Sequence, residues 1–512
     1  MGRRKDTRLQ WLAPKSPQTL RALLRRHVRR SGQTSAAFDL LDTPDFRLMR
    51  GGYMLCAWPR TGRLELHRLE DESWLAAADC KTAPRFAEDL PEGPPWSSIS
   101  ELVAPRALLA MLAFEGRIAH HDMRDEEGKL IARPTLETWR VRAEGAERAT
   151  VLPLRFALAP LRGYEDEAKR PFKKLDMSPA EPLATAALRA LGHDPRDPNG
   201  ERPPKLGPDM TVAQAALAII AHQLSLMRRR ESGICEDVDS EFLHEYRLAL
   251  RRLRSALALF GDHLPPALCQ SLRREAKALG DASSMLRDLD VMLLAVPGWR
   301  QALPPEIREA LVPALDLLAA RRRKALALLR RRLNSARYRE DMARLGAMIA
   351  AARQAVTAEP PDRRFADHAA LMIGKAARRL RRDGRRISDD SPPEALHDLR
   401  KRSKKLRYLV EFAADLLEPA HCAAVLKSLK RLQNCLGTIQ DSAVATAQIE
   451  AMAVEMEAAD RLPVSCALAL GRLMGHLDEA GRAARADFSS HFAAFSEALG
   501  KPGRLIADGS LA

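Results

Sequence analysis

Two segments of this chain carry the same row of positive charge. FLHEYRLALRRLRSALALF from Phe242 is echoed in constant register by ALHDLRKRSKKLRYLVEFA from Ala395. His244 recurs as His397, Arg247 as Arg400, Arg251 as Lys404, Arg252 as Lys405 and Arg254 as Arg407. The register holds further on, where Arg274 matches Lys427, Lys277 matches Lys430 and Asp288 matches Asp441. At about 100° per residue, a His with basic residues three, seven and ten places on falls within an arc of roughly 80° on one helix face. Like charges one turn apart repel by a few tenths of a kcal/mol on an exposed helix. Building such a row twice in matched places is locally unfavourable, and a polyanion laid along it would remove the cost.

A single basic stripe is ordinarily a solvated helix face. Duplication in register, with a His heading each copy, favours a built anion site. The run RRRKALALLRRR (Arg321 to Arg332) spreads its charges around the helix and is expected to face solvent. In the ladder Lys375, Arg378, Arg379 and Arg382, Arg378 and Arg382 are carried as candidates for the same site. Neither His244 nor His397 has a carboxylate or Cys at metal-ligand spacing in both copies. Each is read as a hydrogen-bond donor to an anion, gaining charge as pH falls through about 6.5. No metal and no cofactor are expected. Asp288 and Asp290 in LRDLD invite an acid/base role, but pairing with the basic stripe is the expectation.

These charges need rigid supports. Beside the stripe, Leu243, Leu250, Leu253 and Leu257, and in the second copy Leu396, Leu399, Leu406 and Val410, form an apolar row that can dock on a bundle core. Thr211 is an N-cap for TVAQAALAIIAHQLSLMRRR, and a similar helix begins at Phe365. The repeat is therefore a unit of roughly 150 residues: an opening helix, the His/Arg helix, a following helix and a long closing helix. Two pseudo-twofold related four-helix bundles are expected, repeat 1 over 211–355 and repeat 2 over 363–500. Breaks are expected at Pro265-Pro266, Pro297-Gly298, Pro304-Pro305, Pro360-Pro361 and Pro392-Pro393.

The stretch 193–210 clusters Pro, Gly, Asp and Asn as a linker. Residues 1–192 read as α+β: strands YMLCAW, RLELHRL and RFALAPL, a hairpin at EEGKLIA, and helices over 18–30 and 105–113. The 512 residues carry a net charge of +16, of which +11 lies in residues 205–512. Such a balance attracts polyphosphate, nucleic acid, anionic membranes and acidic proteins alike. Aromatic content of 5% leaves few stacking platforms for single-stranded bases. Seven scattered cysteines without a CxxC pair argue against a disulfide framework or zinc site. No apolar run approaches a membrane span, and the N-terminus has no secretory pattern. A cytoplasmic protein is expected.

The doubled His-x-x-Arg-x-x-x-[Arg/Lys]-[Arg/Lys]-x-Arg helix resembles the CHAD family, the conserved histidine α-helical domain. The resemblance implies two bundles around a basic groove or pore that binds inorganic polyphosphate. Carried over, His244, Arg247, Arg251, Arg254, His397, Arg400, Lys404 and Arg407 would line it. Arg252, Lys405, Arg274, Lys277, Lys427, Lys430, Arg378 and Arg382 complete the candidate set. The first copy reads SSMLRDLDV where the family has Leu-Gly before the Arg-Asp, and the second reads LGTIQDSAV, with Gln440 in place of the Arg.

Residues 1–192 resemble a degenerate CYTH domain, the β-barrel of triphosphate tunnel metalloenzymes. LLDTPDFRLMRGGYML from Leu40, MRDEEGKLIA from Met123 and GYEDEAKR from Gly163 carry the likeness. The family's Glu-x-Glu-x-Lys strand is replaced by DTRLQWL, and LRFALAPL offers no carboxylate. The resemblance thus implies a non-catalytic protein that binds polyphosphate in the cytoplasm, with polyphosphate granules a place of association. The alternatives are a triphosphatase acting through the N-terminal domain and a nucleic-acid-binding module.

Overall fold

A computed structural model of the chain describes residues 9–12, 17–173, 175, 177–356 and 364–500. Asp6 to Arg8 of DTRLQWL, the Pro360-Pro361 break and the first residue of repeat 2 lie outside them. The chain divides into two compact units, Met1–Arg202 and Pro203–Ala512.

The first unit is built on one antiparallel sheet of nine strands. They are β1 (Leu9–Leu12), β2 (Val28–Asp42), β3 (Tyr53–Trp58), β4 (Arg63–Arg68), β5 (Trp74–Asp79), β6 (Leu109–Arg124), β7 (Leu130–Ala143), β8 (Thr150–Val151) and β9 (Arg155–Pro160). The order is β1-β9-β7-β6-β2-β3-β4-β5, with β8 on β7. The edge strands β1 and β5 do not pair with each other, so the expected barrel is an open sheet among the described residues. Helices α1 (Pro17–His27), α2 (Arg47–Arg50), α3 (Trp96–Val103), α4 (Glu165–Lys169) and α5 (Leu183–Ala190) complete the unit. The expected helix over 105–113 is not formed, because β6 starts at Leu109. Leu112, Phe114 and Gly116 alternate inward with period two, and β6 pairs on both sides with β2 and β7. Cross-strand packing overrides the local helix preference of the alanine-rich run.

The second unit is all helical among its described residues. The first copy of the repeat contains α6 (Val212–Glu236), α7 (Ser240–Phe260), α8 (Pro266–Ala302), α9 (Val312–Leu333) and α10 (Ala336–Val356). The second contains α11 (Phe365–Gly384), α12 (Pro393–Phe412), α13 (Pro419–Ala458), α14 (Val464–Ala486) and α15 (Phe488–Leu499). In each copy the closing helix is delivered in two segments. Local chemistry sets the starts: Thr211 and Gln214 form a capping box on α6, Asp239 accepts from the Glu241 and Phe242 N–H groups of α7, and Pro opens α8, α12 and α13. Pro297 behaves differently from expectation, since α8 runs through it to Ala302. Pro297 lies little more than a turn from the end, and the last turn is held by buried Trp299. That packing offsets the lost backbone bond.

Equivalent helices of the two copies meet: α6 packs on α11 and α7 on α12. The Phe365 N–H donates to the Met210 carbonyl (2.8 Å), tying the start of α11 to that of α6. Phe260 of α7 meets Phe365 edge-on and Phe412 at a tilt. The eight apolar residues beside the charge rows are all buried, none more than 3% exposed, so each row is carried on a helix whose orientation is fixed by the core.

Candidate functional site

The α7 and α12 rows converge at the junction of the two copies. Arg251 Nε donates to the hydroxyl oxygen of Tyr408 on α12 at 2.6 Å. Arg252 reaches Glu411 Oε2 at 2.9 Å, and the other oxygen of the same carboxylate accepts from Arg407 Nε at 2.7 Å. One acid thus holds a guanidinium from each copy. Arg407 also donates to Gln433 at 3.0 Å.

Along α7, half-buried Arg247 donates to the Gly280 carbonyl (3.1 Å), Ser283 Oγ (2.8 Å) and Ser284 Oγ (3.3 Å) of α8. Lost hydration lowers its pKa from the ordinary guanidinium range, Asp288 opposes the shift, and Arg251, Arg287 and Arg254 add to it. Exposed Arg254 lies over Gly280, where a Cβ would stand 3.5 Å from its Nη1. On α12 the equivalent Arg400 lies over Gly437 and pairs with Asp441 at 3.4 Å. Its Nε is buried and donates to nothing among the described residues. The pair Arg400–Asp441 repeats the relation of Arg247 to Asp288, 153 residues earlier in the sequence. His397 Nδ1 donates to Gln440 Oε1 at 2.8 Å, so Gln440 orients the histidine. His244 is half-buried on the matching turn of α7.

Lys404 is flanked by these cations. Burial first, then Arg400, Arg251 and Arg407, push its amine down to about 8, with Asp441 acting the other way. Because Arg251 belongs to the other copy, the two rows act on each other electrostatically as well as through hydrogen bonds. Lys405 is exposed beside it, and Arg274, Lys277, Lys427 and Lys430 are exposed on α8 and α13. Arg378 is exposed on α11. Arg382 is not brought to the row. It pairs with Asp383, as does Arg402 at 2.6 Å, and Arg402 is about 200° around α12 from Arg400.

Two further expectations are corrected. The Arg321–Arg332 run is a solvated face only in part: Arg323, Lys324 and Arg331 are exposed, whereas Arg321 pairs with Glu455, Arg332 with Glu275 at 2.7 Å, and Arg322 with both Asp237 (2.6 Å) and Asp290 (2.7 Å). Opposite charges on α6, α8 and α13 recruit these three. Asp290 therefore serves Arg322 rather than the stripe, whereas Asp288 does act on Arg247. Sequence reasoning missed Glu411 and Gln433 as organisers. Glu411 stands one turn after Arg407, on the line of the row, which is the signal that could have exposed it.

In the first unit the acids of the DTPD segment are engaged in the fold. Asp42 is fully buried and accepts the N–H groups of Thr43, Leu48 and Met49. Asp45 pairs with Arg47 at 3.0 Å and lies 3.5 Å from fully buried Arg106. Glu65 pairs with Arg63 and His67, and Glu137 accepts from Trp139 and Thr135. Among the described residues no group of three or more His, Cys, Asp or Glu is placed to hold a metal ion. No helix among them is long and apolar enough to cross a membrane.

Residues 218–450 match the CHAD domain family. Two uncharacterized proteins of Mycobacterium tuberculosis are 29% and 28% identical over 253 and 249 residues, each match covering 48% of this chain and 45% of the relative. The chain thus spans a little under half the length of the curated relatives it matches. Among solved structures, a CHAD domain from the plant Ricinus communis is 25% identical, covering 58% of this chain and 95% of that one, with a TM-score of 0.48. PptA from Streptomyces chartreusis is 18% identical, covering 55% and 99%, with a TM-score of 0.42.

Proposed function

We propose that the helical unit binds inorganic polyphosphate along the seam where α7 and α12 meet, and that the chain does so without hydrolysing it. The observation that carries this reading is the sharing of Glu411 between Arg252 of one copy and Arg407 of the other. One carboxylate fixes two guanidinium groups but cannot neutralise the cations gathered there. The half-buried Lys404 pairs with no acid among the described residues and remains available to an anion. A linear polyphosphate carries about one charge per residue and can satisfy guanidinium forks on both helices at once.

The match of residues 218–450 to the CHAD domain supports the same ligand class. The engagement of Asp42, Asp45, Glu65 and Glu137 within the first unit favours a non-catalytic role for that unit. The proposal places the protein in the cytoplasm with polyphosphate as its partner. The test is equilibrium binding of polyphosphates of graded chain length across salt concentrations, with RNA and DNA as competitors. Tighter binding of longer chains, a steep salt slope and preference over nucleic acid are expected. Equal competition by nucleic acid at the same charge would replace polyphosphate by a general polyanion.

A further inference from the structure

We propose that Lys404 is a covalent modification site, its amine being acylated by acyl phosphates whose phosphate is held by the guanidinium groups around it. The inference rests on the phosphate-binding reading of this groove and adds a reaction to it.

Arg400 and Arg407 lie one turn to either side of Lys404 on α12, Arg251 reaches over from α7 to Tyr408, one turn beyond Lys404, and Asp441 of α13 is the acid acting on it. The three guanidinium groups are anchored: Arg251 to Tyr408, Arg407 to Glu411 and Gln433, Arg400 to Asp441. Lys404 makes no hydrogen bond or ion pair among the described residues, and it is only half-buried. A free amine surrounded by three fixed cations has two consequences. Its protonated form is destabilised, bringing it down to about 8, so about a tenth of the amine is neutral at pH 7, against well under a hundredth for an ordinary lysine near 10.4. Its surroundings also offer guanidinium forks for a small phosphate. The equivalent position in the first copy is Arg251, which offers a guanidinium fork and no amine nucleophile. The reactive amine is thus a property of one copy, where the chain departs from its own twofold pattern.

In the reaction the nitrogen lone pair attacks the carbonyl carbon and an N–C bond forms. The C–O bond to phosphate breaks, its electron pair leaving on the phosphate. The amine proton passes to the departing phosphate or to water, giving an amide and inorganic phosphate with no change of oxidation state. Positioning the acyl group beside the amine supplies the rate advantage, and the product lacks the charge that Lys404 held in the middle of the row.

The test incubates the full chain with acetyl phosphate from pH 7 to 9 and follows acetylation of Lys404, Lys405 and Lys427 by peptide mass spectrometry. Polyphosphate binding is measured on the same preparation. Parallel samples contain tripolyphosphate, or use the N-hydroxysuccinimide ester of acetate as a reagent without phosphate. Lys404 is expected to react about tenfold faster than Lys405 or more. With acetyl phosphate well below saturation, its rate should rise through pH 8 and then level, and tripolyphosphate should protect it selectively, with a smaller preference from the ester. Equal rates at Lys404 and Lys405, or the same preference from the ester with no protection, overturn the proposal. If polyphosphate binds normally in that case, only the acylation is lost; if it does not bind, the phosphate site itself has failed.

Discussion

Lys404 takes the place in the second copy that Arg251 holds in the first, and burial and the cations around it push its amine down to about 8. The apo amine holds its proton up to about 8, and a bound polyanion raises that limit, so binding above pH 8 takes up a proton. Affinity for polyphosphate should therefore fall as pH rises from 7 to 9, by at most about tenfold per unit. Isothermal titration at fixed ionic strength measures this, and Lys404→Arg should flatten the profile. Without ligand the sign reverses: the unfolded amine keeps its proton to about 10.4, so this group's contribution to stability improves between pH 8 and that value. A second expectation concerns the guanidinium groups. Arg251→Ala and Arg400→Ala should each weaken polyphosphate binding by about 1.5 to 3 kcal/mol, the range of charge-assisted hydrogen bonds. Exposed Arg274→Ala should cost less in the same binding assay. Arg247 is a poor test residue, since its hydrogen bonds to Gly280 and Ser283 also join α7 to α8.

Helix α9 looks in sequence like a second basic stripe, but Arg321, Arg322 and Arg332 are tied to acids of other helices. Arg322 forks onto Asp237, at the C-terminal end of α6, and onto Asp290 of α8, which is 2% exposed. Arg322→Ala would leave that carboxylate buried and unpaired, and should destabilise the helical unit by about 3 to 5 kcal/mol. Urea unfolding followed by circular dichroism would show the midpoint shift. The exposed Lys324 on the same helix serves as the comparison, with Lys324→Ala expected within about 0.5 kcal/mol of the parent.

At the scale of the whole chain, the two units hold separate cores. Residues 203–512 contain both copies of the repeat and the whole proposed binding row. This fragment is expected to fold by itself, to unfold cooperatively, and to retain the full chain's polyphosphate affinity. A folded fragment with no affinity would move the site to the first unit. The full chain is expected to release no phosphate from tripolyphosphate above background with Mg²⁺ or Mn²⁺. Turnover that scales with protein and stops with a chelator would give the first unit a catalytic role, with Glu65 and Glu137 the carboxylates to replace first.

The helical repeat, its boundaries near Thr211 and Phe365, and the charge row beside a buried leucine row were legible in sequence, because helix periodicity and capping act over a few residues. The sequence alone also paired His244 with His397 and Arg247 with Arg400, since duplication preserves register. The fate of each charge was decided only by tertiary structure. Arg322 and Arg251 are the same residue type on comparable helices, yet one meets Asp237 and Asp290 while the other meets Tyr408 and a field of cations. Whether an arginine stripe is scaffold or site depends on which acids lie opposite it, and those come from helices distant in sequence. Likewise the open sheet and the strand at Leu109 follow from pairing with β2 and β7, contacts that no local pattern encodes.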